Sequence, residues 1–139
     1  MTSPVVKIQH DATVNQALAL MSRHNVGFLP VVRDGWIDGV VTDRDILLRG
    51  TINGAVEFFC PIDSLTTRHV QQAGPLQPLE EITALMIEHD LRRIPITDSL
   101  GYLVGVISLT DIAQRAAPEH ALSVLRTIAE QPARRKTAR

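Results

Sequence analysis

The chain contains an internal repeat, and this repeat constrains its fold more than any other feature of the sequence. Residues 2–30 match residues 67–95 at a shift of 65, and residues 35–49 match residues 101–115 at a shift of 66. Thirteen aligned pairs are identical, where ordinary residue usage gives roughly three by chance. The identical pairs are Thr2/Thr67, Val5/Val70, Ala19/Ala84, Leu20/Leu85, Met21/Met86, His24/His89, Pro30/Pro95, Gly35/Gly101, Gly39/Gly105, Val40/Val106, Asp45/Asp111, Ile46/Ile112 and Arg49/Arg115. A repeat of this order and spacing indicates two copies of one structural unit.

Both copies show the same succession of hydrophobic patterns. A short extended stretch precedes an amphipathic helix, and two β-branched runs and a second helix follow. In the first copy these segments are Val5–Ile8, apolar residues at helical spacing from Val14 to Val26, Leu29–Arg33, Ile37–Thr42 and a helix that begins at Asp43. In the second copy they are Val70–Ala73, apolar residues from Leu79 to Leu91, Ile94–Thr97, Tyr102–Ser108 and a helix that begins at Leu109. Turn residues between the two runs predict a hairpin in each copy.

The fold class predicted from this pattern is α+β, with two β-α-β-β-α units packed pseudo-symmetrically and an appended C-terminal helix. Each unit alone, at about 65 residues, would be marginally stable, so the two are expected to share a core. We predict a first unit at 2–53, a linker at 54–64, a second unit at 65–115, a helix at 116–131 and a basic disordered tail at 132–139. Phe58 and Phe59 are expected to pin the linker to the body, because exposed neighbouring aromatics reduce solubility.

The charge of the chain is split between an acidic body and a basic tail. The whole sequence has 14 basic and 15 acidic side chains, but the last eight residues hold four basic and no acidic ones. A dedicated nucleic-acid binder has a strong basic excess, so nucleic acid is not the expected partner. No apolar run approaches the roughly 18 residues of a membrane helix, and no signal peptide is visible. With a single cysteine as well, the chain is expected to be a soluble cytoplasmic protein without disulfides.

The strongest local motif is duplicated at the junction between the last predicted strand and the second helix of each copy. Thr42 stands three residues before Asp45, and Ser108 stands three residues before Asp111. One interpretation is a helix cap, in which the hydroxyl and the carboxylate satisfy backbone N–H groups. The other is a ligand site, because a strand-to-helix junction offers N–H groups to an anion and a carboxylate can accept hydrogen bonds from a ribose diol. The residues alone leave both interpretations open.

The ordered combination of these motifs resembles a tandem pair of CBS domains, the Bateman module. It consists of Leu29-Pro-Val-Val32 with Gly39-Val-Val-Thr-Asp-Arg-Asp-Ile46, and Arg92-Arg-Ile-Pro-Ile96 with Gly105-Val-Ile-Ser-Leu-Thr-Asp-Ile112. The resemblance covers about residues 2–115. It implies a regulatory module that binds an adenosine compound, with AMP, ADP or ATP foremost and S-adenosylmethionine or NAD as further ligands. It also implies a homodimer in which modules form a flat disc, and a protein partner that receives the signal in trans.

The resemblance also implies a set of ligand-binding residues. Asp45 and Asp111 correspond to the residues that bind ribose hydroxyls, and Thr42 and Ser108 to residues that contact ribose or phosphate. Backbone groups of Val6, Lys7 and Ile8, and of residues 71–73 in the second copy, correspond to those that bind the adenine edge. The remaining candidates, basic side chains near the phosphates and neighbours of the motifs, are Lys7, Arg44, Arg92, Arg93, Pro95 and Thr110. Because Arg44 of the first copy aligns with Thr110 of the second, the two sites are not chemically equal.

Other classes of function have less support in the sequence. The chain shows no nucleophile–base set, no glycine-rich phosphate loop and no plausible metal cluster, so we expect neither a catalytic residue nor a metal site. His24 and His89 repeat at one helix position but lack companions at ligand spacing. The alternative to a ligand sensor is a ligand-free oligomerisation or interaction module, in which the two Thr/Ser-x-x-Asp motifs are only helix caps.

Overall fold

The computed structural model of the protein describes residues 5–115 in two compact units. One unit spans Val6–Val70, and the other contains the described residues from Gln71 onward. The helix expected at 116–131 and the basic tail expected at 132–139 lie outside the described residues. Each unit contains one copy of the repeat, so each is described separately.

The first unit has the predicted β-α-β-β-α order, followed by a small hairpin and a turn of 3-10 helix. Its elements are β1 (Ile8–Gln9), α1 (Val14–His24), β2 (Phe28–Arg33), β3 (Trp36–Thr42), α2 (Asp43–Arg49), β4 (Thr51–Ile52), β5 (Ala55–Val56) and a 3-10 helix (Ile62–Leu65). The main sheet has the order β1-β2-β3, with β1 parallel and β3 antiparallel to β2. Asp34 and Gly35 adopt positive φ values of 52° and 86°, as the tight turn of a two-residue hairpin requires.

Helix α1 has a side-chain cap at its start and a left-handed residue at its end. Thr13 caps the helix: its side chain accepts a hydrogen bond from the Gln16 backbone, and the Gln16 side chain accepts one from the Thr13 backbone. This reciprocal pair satisfies two N–H groups that the first turn leaves without partners. The helix ends at Asn25, which adopts the left-handed conformation at a φ of 52°, a C-terminal geometry that Asn tolerates.

The second unit repeats this architecture with one difference at its first strand. Its elements are α3 (Leu79–Glu88), β6 (Arg93–Thr97), β7 (Leu103–Ser108) and α4 (Leu109–Arg115). Strands β6 and β7 form the predicted antiparallel hairpin. In place of a full strand corresponding to β1, Ala73 alone pairs in parallel with Ile96, through hydrogen bonds of 3.1 Å to the Pro95 carbonyl and 2.9 Å from the Thr97 N–H. The predicted β-α-β-β-α order is confirmed in the first copy, and in the second copy the first strand is reduced to the one-residue bridge at Ala73.

Residues 57–70, called here the segment between the repeats, belong to the first unit. Thr67 pairs with Val40 through two backbone hydrogen bonds of 2.8 and 3.0 Å, which add a fourth, one-residue partner to the edge of the β1-β2-β3 sheet. The backbone carbonyls of Phe58 and Cys60 accept hydrogen bonds from the first N–H groups of α1. The expectation that the Phe58 and Phe59 side chains pin this segment is wrong, since Phe59 is 84% exposed. Backbone hydrogen bonds and the buried Ile62 and Leu65 side chains hold it instead.

Each unit has its own aliphatic core. In the first, side chains of α1, the sheet and the 3-10 helix form one cluster that includes Val14, Leu29 and Ile46. In the second, α3, the hairpin and α4 form another that includes Met86, Ile94 and Ile112. Ile46 and Ile112 occupy the same position of the repeat, and both are almost fully buried. Within residues 5–115, no helix has the length and apolar character needed to cross a membrane.

Candidate functional site

The structure gathers candidate residues at one end of the sheet in each unit. In the first unit, β3 ends at Thr42 opposite Phe28, the first residue of β2. Because β1 runs parallel to β2, the chain enters β1 from this same end through Val6 and Lys7. In the second unit, Ser108 ends β7 opposite Arg93, and the chain approaches Ala73 from the same end. The extended stretch and the strand-to-helix junction are far apart in sequence. In both units they lie at the same end of the sheet.

The Thr42–Asp45 motif forms a reciprocal cap at the start of α2. The Asp45 N–H donates to Thr42 Oγ1 at 3.0 Å, and the Thr42 N–H donates to Asp45 Oδ2 at 3.0 Å. Thr42 is 1% exposed and Asp45 is 6% exposed. A buried carboxylate needs hydrogen bonds or a cation to compensate for lost hydration, and the Thr42 backbone supplies one of these.

Arg49 supplies the cation. Its guanidinium lies 3.1 Å from Asp45 Oδ1, the carboxylate oxygen that the cap does not use. The same guanidinium nitrogen donates to the Leu65 carbonyl at 2.7 Å and approaches Thr67 Oγ1 at 3.4 Å. Both oxygens of Asp45 are thus engaged within the protein. Arg49 connects the motif to the segment between the repeats.

The Ser108–Asp111 motif forms the same cap at the start of α4 but is more exposed. The Asp111 N–H donates to Ser108 Oγ at 3.0 Å, and the Ser108 N–H donates to Asp111 Oδ2 at 3.1 Å. Both residues are half-buried. The cap interpretation is therefore correct as geometry in both copies, and the second motif keeps carboxylate surface toward solvent.

The surroundings of the two motifs differ at the start of β2 in the first unit and of β6 in the second, the strands that pair with β3 and β7. The Leu109 N–H donates to the Arg92 carbonyl, and the Asp43 N–H donates to the Gly27 carbonyl, both at 3.0 Å. These equivalent bonds place Arg92 where the first unit has Gly27. Register places exposed Arg93 beside Ser108, where the first unit has Phe28, which is 8% exposed, beside Thr42.

The other predicted residues have more varied surroundings. Ile8 is buried and paired with Val31, whereas Lys7 is exposed and Val6 is half-buried. Pro95 is buried in β6, and its carbonyl accepts a hydrogen bond from the Ala73 N–H. Arg44 and Thr110 occupy equivalent exposed positions in the first turn of α2 and α4. The roles of these residues in binding a ligand are predictions.

Two residues near the first motif were not among the predicted site residues. Arg49 is one of the repeat identities, and an Asp and an Arg four residues apart on a helix commonly pair, so the sequence carries a signal for this ion pair. Asp43 is the first residue of α2. A Cβ atom on Gly27 would lie 2.5 Å from Asp43 Oδ2, so the Asp43 side chain fills the space above this glycine. A second acidic residue in the run Asp43-Arg-Asp45 is the sequence signal that could have pointed to Asp43.

A charge network joins the β2–β3 hairpin to the segment between the repeats. Arg68 bonds to both Asp38 and Asp63, and Arg33 lies 3.5 Å and 3.6 Å from the same two carboxylates. Partial burial acts to raise the pKa of Asp38, but the hydrogen bonds and charges of Arg68 and Arg33 outweigh it and hold that pKa below its ordinary value. Hydrogen bonds to Asp63 and Asp38 raise the pKa of Arg68 in turn. This network stabilises the fold and lies apart from both motifs in sequence.

Residues 5–115 contain no group of three or more His, Cys, Asp or Glu side chains placed to hold a metal ion.

Comparison with known proteins agrees with the repeat. The model of the CBS domain family matches residues 1–50 and 62–117. The CBS domain-containing protein YhcV of Bacillus subtilis (strain 168) is 37% identical over 132 residues, which are 94% of this chain and 93% of that protein.

Solved structures share the fold along most of the chain. The crystal structure of Hypoxic Response Protein I with two coordinated zinc ions has a TM-score of 0.75 at 27% identity, over 84% of this chain and 95% of that one. The CBS domain pair of protein MJ0100, in complex with 5′-methylthioadenosine and S-adenosyl-L-methionine, has a TM-score of 0.71 at 23% identity, over 82% of this chain and 89% of that one.

Proposed function

The chain belongs to the CBS-domain family, and we propose that it is a regulatory module that binds an adenosine-containing ligand and signals to a protein partner in trans. AMP, ADP or ATP is the ligand class that we propose first, and S-adenosylmethionine and NAD share the adenosine group. The signalling form that we propose is a cytoplasmic homodimer without catalytic activity of its own.

One observation carries this proposal: a hydroxyl and a carboxylate stand in the same hydrogen-bonded geometry at the end of a strand in both copies. A helix cap requires only two residues three positions apart. The cap alone therefore does not explain why the extended stretch also recurs beside the motif in both units. In both units the motif lies at the same end of the sheet as the extended stretch before β1 or Ala73. The MJ0100 CBS pair, which shares this fold, was solved with two adenosine compounds.

The proposed roles follow from the chemistry of each group. Asp45 and Asp111 are carboxylates and can accept two hydrogen bonds from a ribose diol. Thr42 and Ser108 contribute hydroxyls to ribose or phosphate. Backbone groups of Val6–Ile8 and of residues 71–73 are polar atoms at the edge where an adenine would lie.

The phosphate part of the ligand depends on basic side chains. Lys7, Arg44, Arg92 and Arg93 are all exposed, and guanidinium groups bind phosphate oxygens with paired, charge-assisted hydrogen bonds. Helix α2 is only seven residues long, so its N-terminus alone is a weak anion site. Pro95 shapes the strand beneath the site, and Thr110 offers a hydroxyl where the first unit has Arg44.

Binding would act on a partner only if the ligand distinguishes two states of the homodimer. A ligand shifts a conformational equilibrium by its difference in affinity for the two states and by nothing more. The proposal therefore includes a dimer whose geometry differs between the free and the bound forms. A ligand-free interaction module, in which both motifs act only as caps, is the competing function.

Calorimetric titration of the full chain with AMP, ADP, ATP, S-adenosylmethionine and NAD tests the proposal, with GMP and GTP as matched controls for the base. We expect saturable binding of at least one adenosine ligand and weaker binding of the guanosine controls. A ligand at about one hundred times its Kd should also stabilise the fold by about 2.7 kcal/mol. Absence of binding at millimolar concentration of every adenosine ligand, together with no absorbance at 260 nm in the supernatant of denatured protein, would establish the ligand-free alternative.

Sedimentation velocity with and without the bound ligand tests the homodimer. A dimer whose sedimentation coefficient or dissociation constant changes with ligand is the expected result. A monomer in both conditions would refute the proposed route of signalling while leaving ligand binding intact.

A further inference from the structure

We propose that an apolar face of the first unit is the surface through which two copies of this chain form a homodimer, first unit against first unit. The end of α2, the β4–β5 hairpin and the start of the segment between the repeats carry this apolar face. Its exposed side chains are Leu47, Leu48, Ile52, Phe58 and Phe59. The homodimer belongs to the proposed function, on which this assignment of its interface rests.

Hydrogen bonds join the three segments that carry the apolar face. Thr51 Oγ1 donates to the Leu47 carbonyl at 3.3 Å, which ties β4 to the end of α2. Strand β5 pairs antiparallel with β4. The Glu57 N–H then donates to the Gly50 carbonyl at 2.9 Å, so the chain returns to the end of α2 directly before Phe58. The exposed apolar residues of these segments are therefore gathered in one region of the first unit.

The apolar face is large for a protein that stays monomeric. Its five residues keep between 49% and 84% of their surface exposed. At about 200 Å² for a fully exposed residue of this size, they present roughly 600 Å². The largest apolar patch of a typical monomer covers about 300–600 Å², whereas one partner of a standard interface contributes about 800 Å². The apolar face with its rim therefore has the area that one half of a stable dimer interface needs.

The charges within the apolar face do not oppose its burial. Between Leu47 and Phe59 the only charged residues are Arg49 and Glu57. The Arg49 guanidinium lies 3.1 Å from Asp45 Oδ1 and donates to a backbone carbonyl at 2.7 Å. An unpaired charge is costly to bury in an interface, but this cation already has its partners within the first unit.

The apolar face is complementary to itself, as an interface between two identical surfaces requires. Apolar side chains can pack against their own copies without any polar match. The exposed Arg44 lies in the first turn of α2, and the exposed Glu57 is bonded to Gly50 at the opposite end of the helix. A two-fold axis perpendicular to α2 makes the two copies of the helix antiparallel, which brings each Arg44 toward the Glu57 end of the other copy. Opposite charges at the rim favour this pairing.

The second unit does not offer the same pair of leucines. Ala113 and Gln114 occupy the positions in α4 that correspond to Leu47 and Leu48 in α2. Ala113 is buried and Gln114 is exposed. A pairing of the first unit with the second would set an exposed leucine against a glutamine, whereas a pairing of two first units sets leucine against leucine. The apolar face therefore favours the second arrangement.

Sedimentation equilibrium of the full chain tests the assignment. The variants are Leu48→Asp and Phe59→Asp, with Leu76→Asp as the matched control, because Leu76 is an exposed leucine of the second unit. We expect a dimer for the wild type, a dimer Kd at least tenfold higher for the first two variants, and a Kd within threefold of wild type for the control. All three replaced side chains are exposed, and urea unfolding of each variant verifies that it is folded.

Crosslinking measures which units meet. Leu48→Cys and Gln114→Cys are made in a Cys60→Ser background and treated with a flexible bis-maleimide. Leu48→Cys alone should form covalent dimers at least tenfold faster than Gln114→Cys alone. Faster crosslinking in an equal mixture of the two variants than in Leu48→Cys alone would show a pairing of first with second units and overturn the assignment. A dimer in which Leu48→Cys does not crosslink would overturn it too.

The outcomes also separate this assignment from the proposed function. A wild-type dimer whose Kd is unchanged in both folded variants overturns the apolar face as the interface and leaves the homodimer standing. A wild-type chain that is monomeric overturns the homodimer and the apolar face together. Calorimetric titration of the same samples with ATP reports ligand binding independently, because none of the three replaced leucines and phenylalanines is among the proposed ligand-binding residues.

Discussion

Replacing Gly39 by alanine should separate the segment between the repeats from the first sheet. Gly39 lies in β3, and a Cβ atom there would overlap the Thr67 carbonyl oxygen and lie 2.5 Å from Thr66 Cγ2. The Thr67 carbonyl is backbone, and it accepts the Val40 N–H at 3.0 Å while Val40 accepts the Thr67 N–H at 2.8 Å. The Thr67 carbonyl cannot move away from the added methyl group without breaking these two hydrogen bonds. Rotation of a side chain therefore cannot relieve the overlap.

The magnitude follows from the contacts that must change. Two backbone hydrogen bonds contribute about 1 kcal/mol each, and an extra methyl group in a packed site costs about 1–3 kcal/mol. The lower backbone entropy of alanine in the unfolded chain offsets about 0.4–1 kcal/mol of this loss. We therefore expect Gly39→Ala to lower the free energy of unfolding by about 2–4 kcal/mol.

Urea unfolding followed by circular dichroism measures this change, and Gly74→Ala is the matched control. No atom lies within 4 Å of a Cβ built on Gly74, so that variant should unfold within about 0.5–1 kcal/mol of wild type. Equal free energies of unfolding for Gly39→Ala and Gly74→Ala would refute the reasoning, because they would show that the Thr67 segment does not pack on β3 at this distance.

Two smaller perturbations test the charge network and the second core. The lowered pKa of Asp38 means that its ion pairs with Arg68 and Arg33 stabilise the fold above the unfolded-state pKa of about 3.9 and are lost as pH falls through the folded-state pKa. Asp38→Asn should therefore be about 0.2–1 kcal/mol less stable than wild type at neutral pH. If the difference in urea midpoint between the variant and wild type did not become smaller near about pH 2, this explanation would be wrong. Ile94 is fully buried and Leu100 is 69% exposed, so Ile94→Ala should cost about 2–5 kcal/mol and Leu100→Ala less than about 0.5 kcal/mol in the same unfolding assay.

Much of the architecture could be predicted because its signals are local. Apolar spacing predicted α1 and α3, β-branched runs predicted both hairpins, and a turn with positive φ at Asp34 and Gly35 required the residue types found there. Such signals depend on neighbours within a few residues. The Thr42 and Ser108 caps belong to the same class, since each bonds to a residue three positions away.

The segment between the repeats could not be predicted in the same way. Its aromatic residues suggested side-chain burial, but Phe59 is 84% exposed and the Phe58 carbonyl makes the contact with α1. A backbone carbonyl has no sequence signature. Whether it meets a helix N-terminus depends on how the chain returns after β5, which is a property of the folded unit.

The sequence by itself determined the β-α-β-β-α unit, its duplication and the pair of hydroxyl–carboxylate motifs, because each depends on periodicity or on residues three positions apart. Only the tertiary structure decided that the two motifs differ in burial. Arg49 reaches Asp45 from one helical turn away, but the Leu65 carbonyl that fixes its position comes from beyond the β4–β5 hairpin. Gly27 and Asp43 likewise meet only across the junction of the hairpin and α2. The environment of a carboxylate is set by groups brought together through folding, and two copies with one motif can therefore differ in burial and charge.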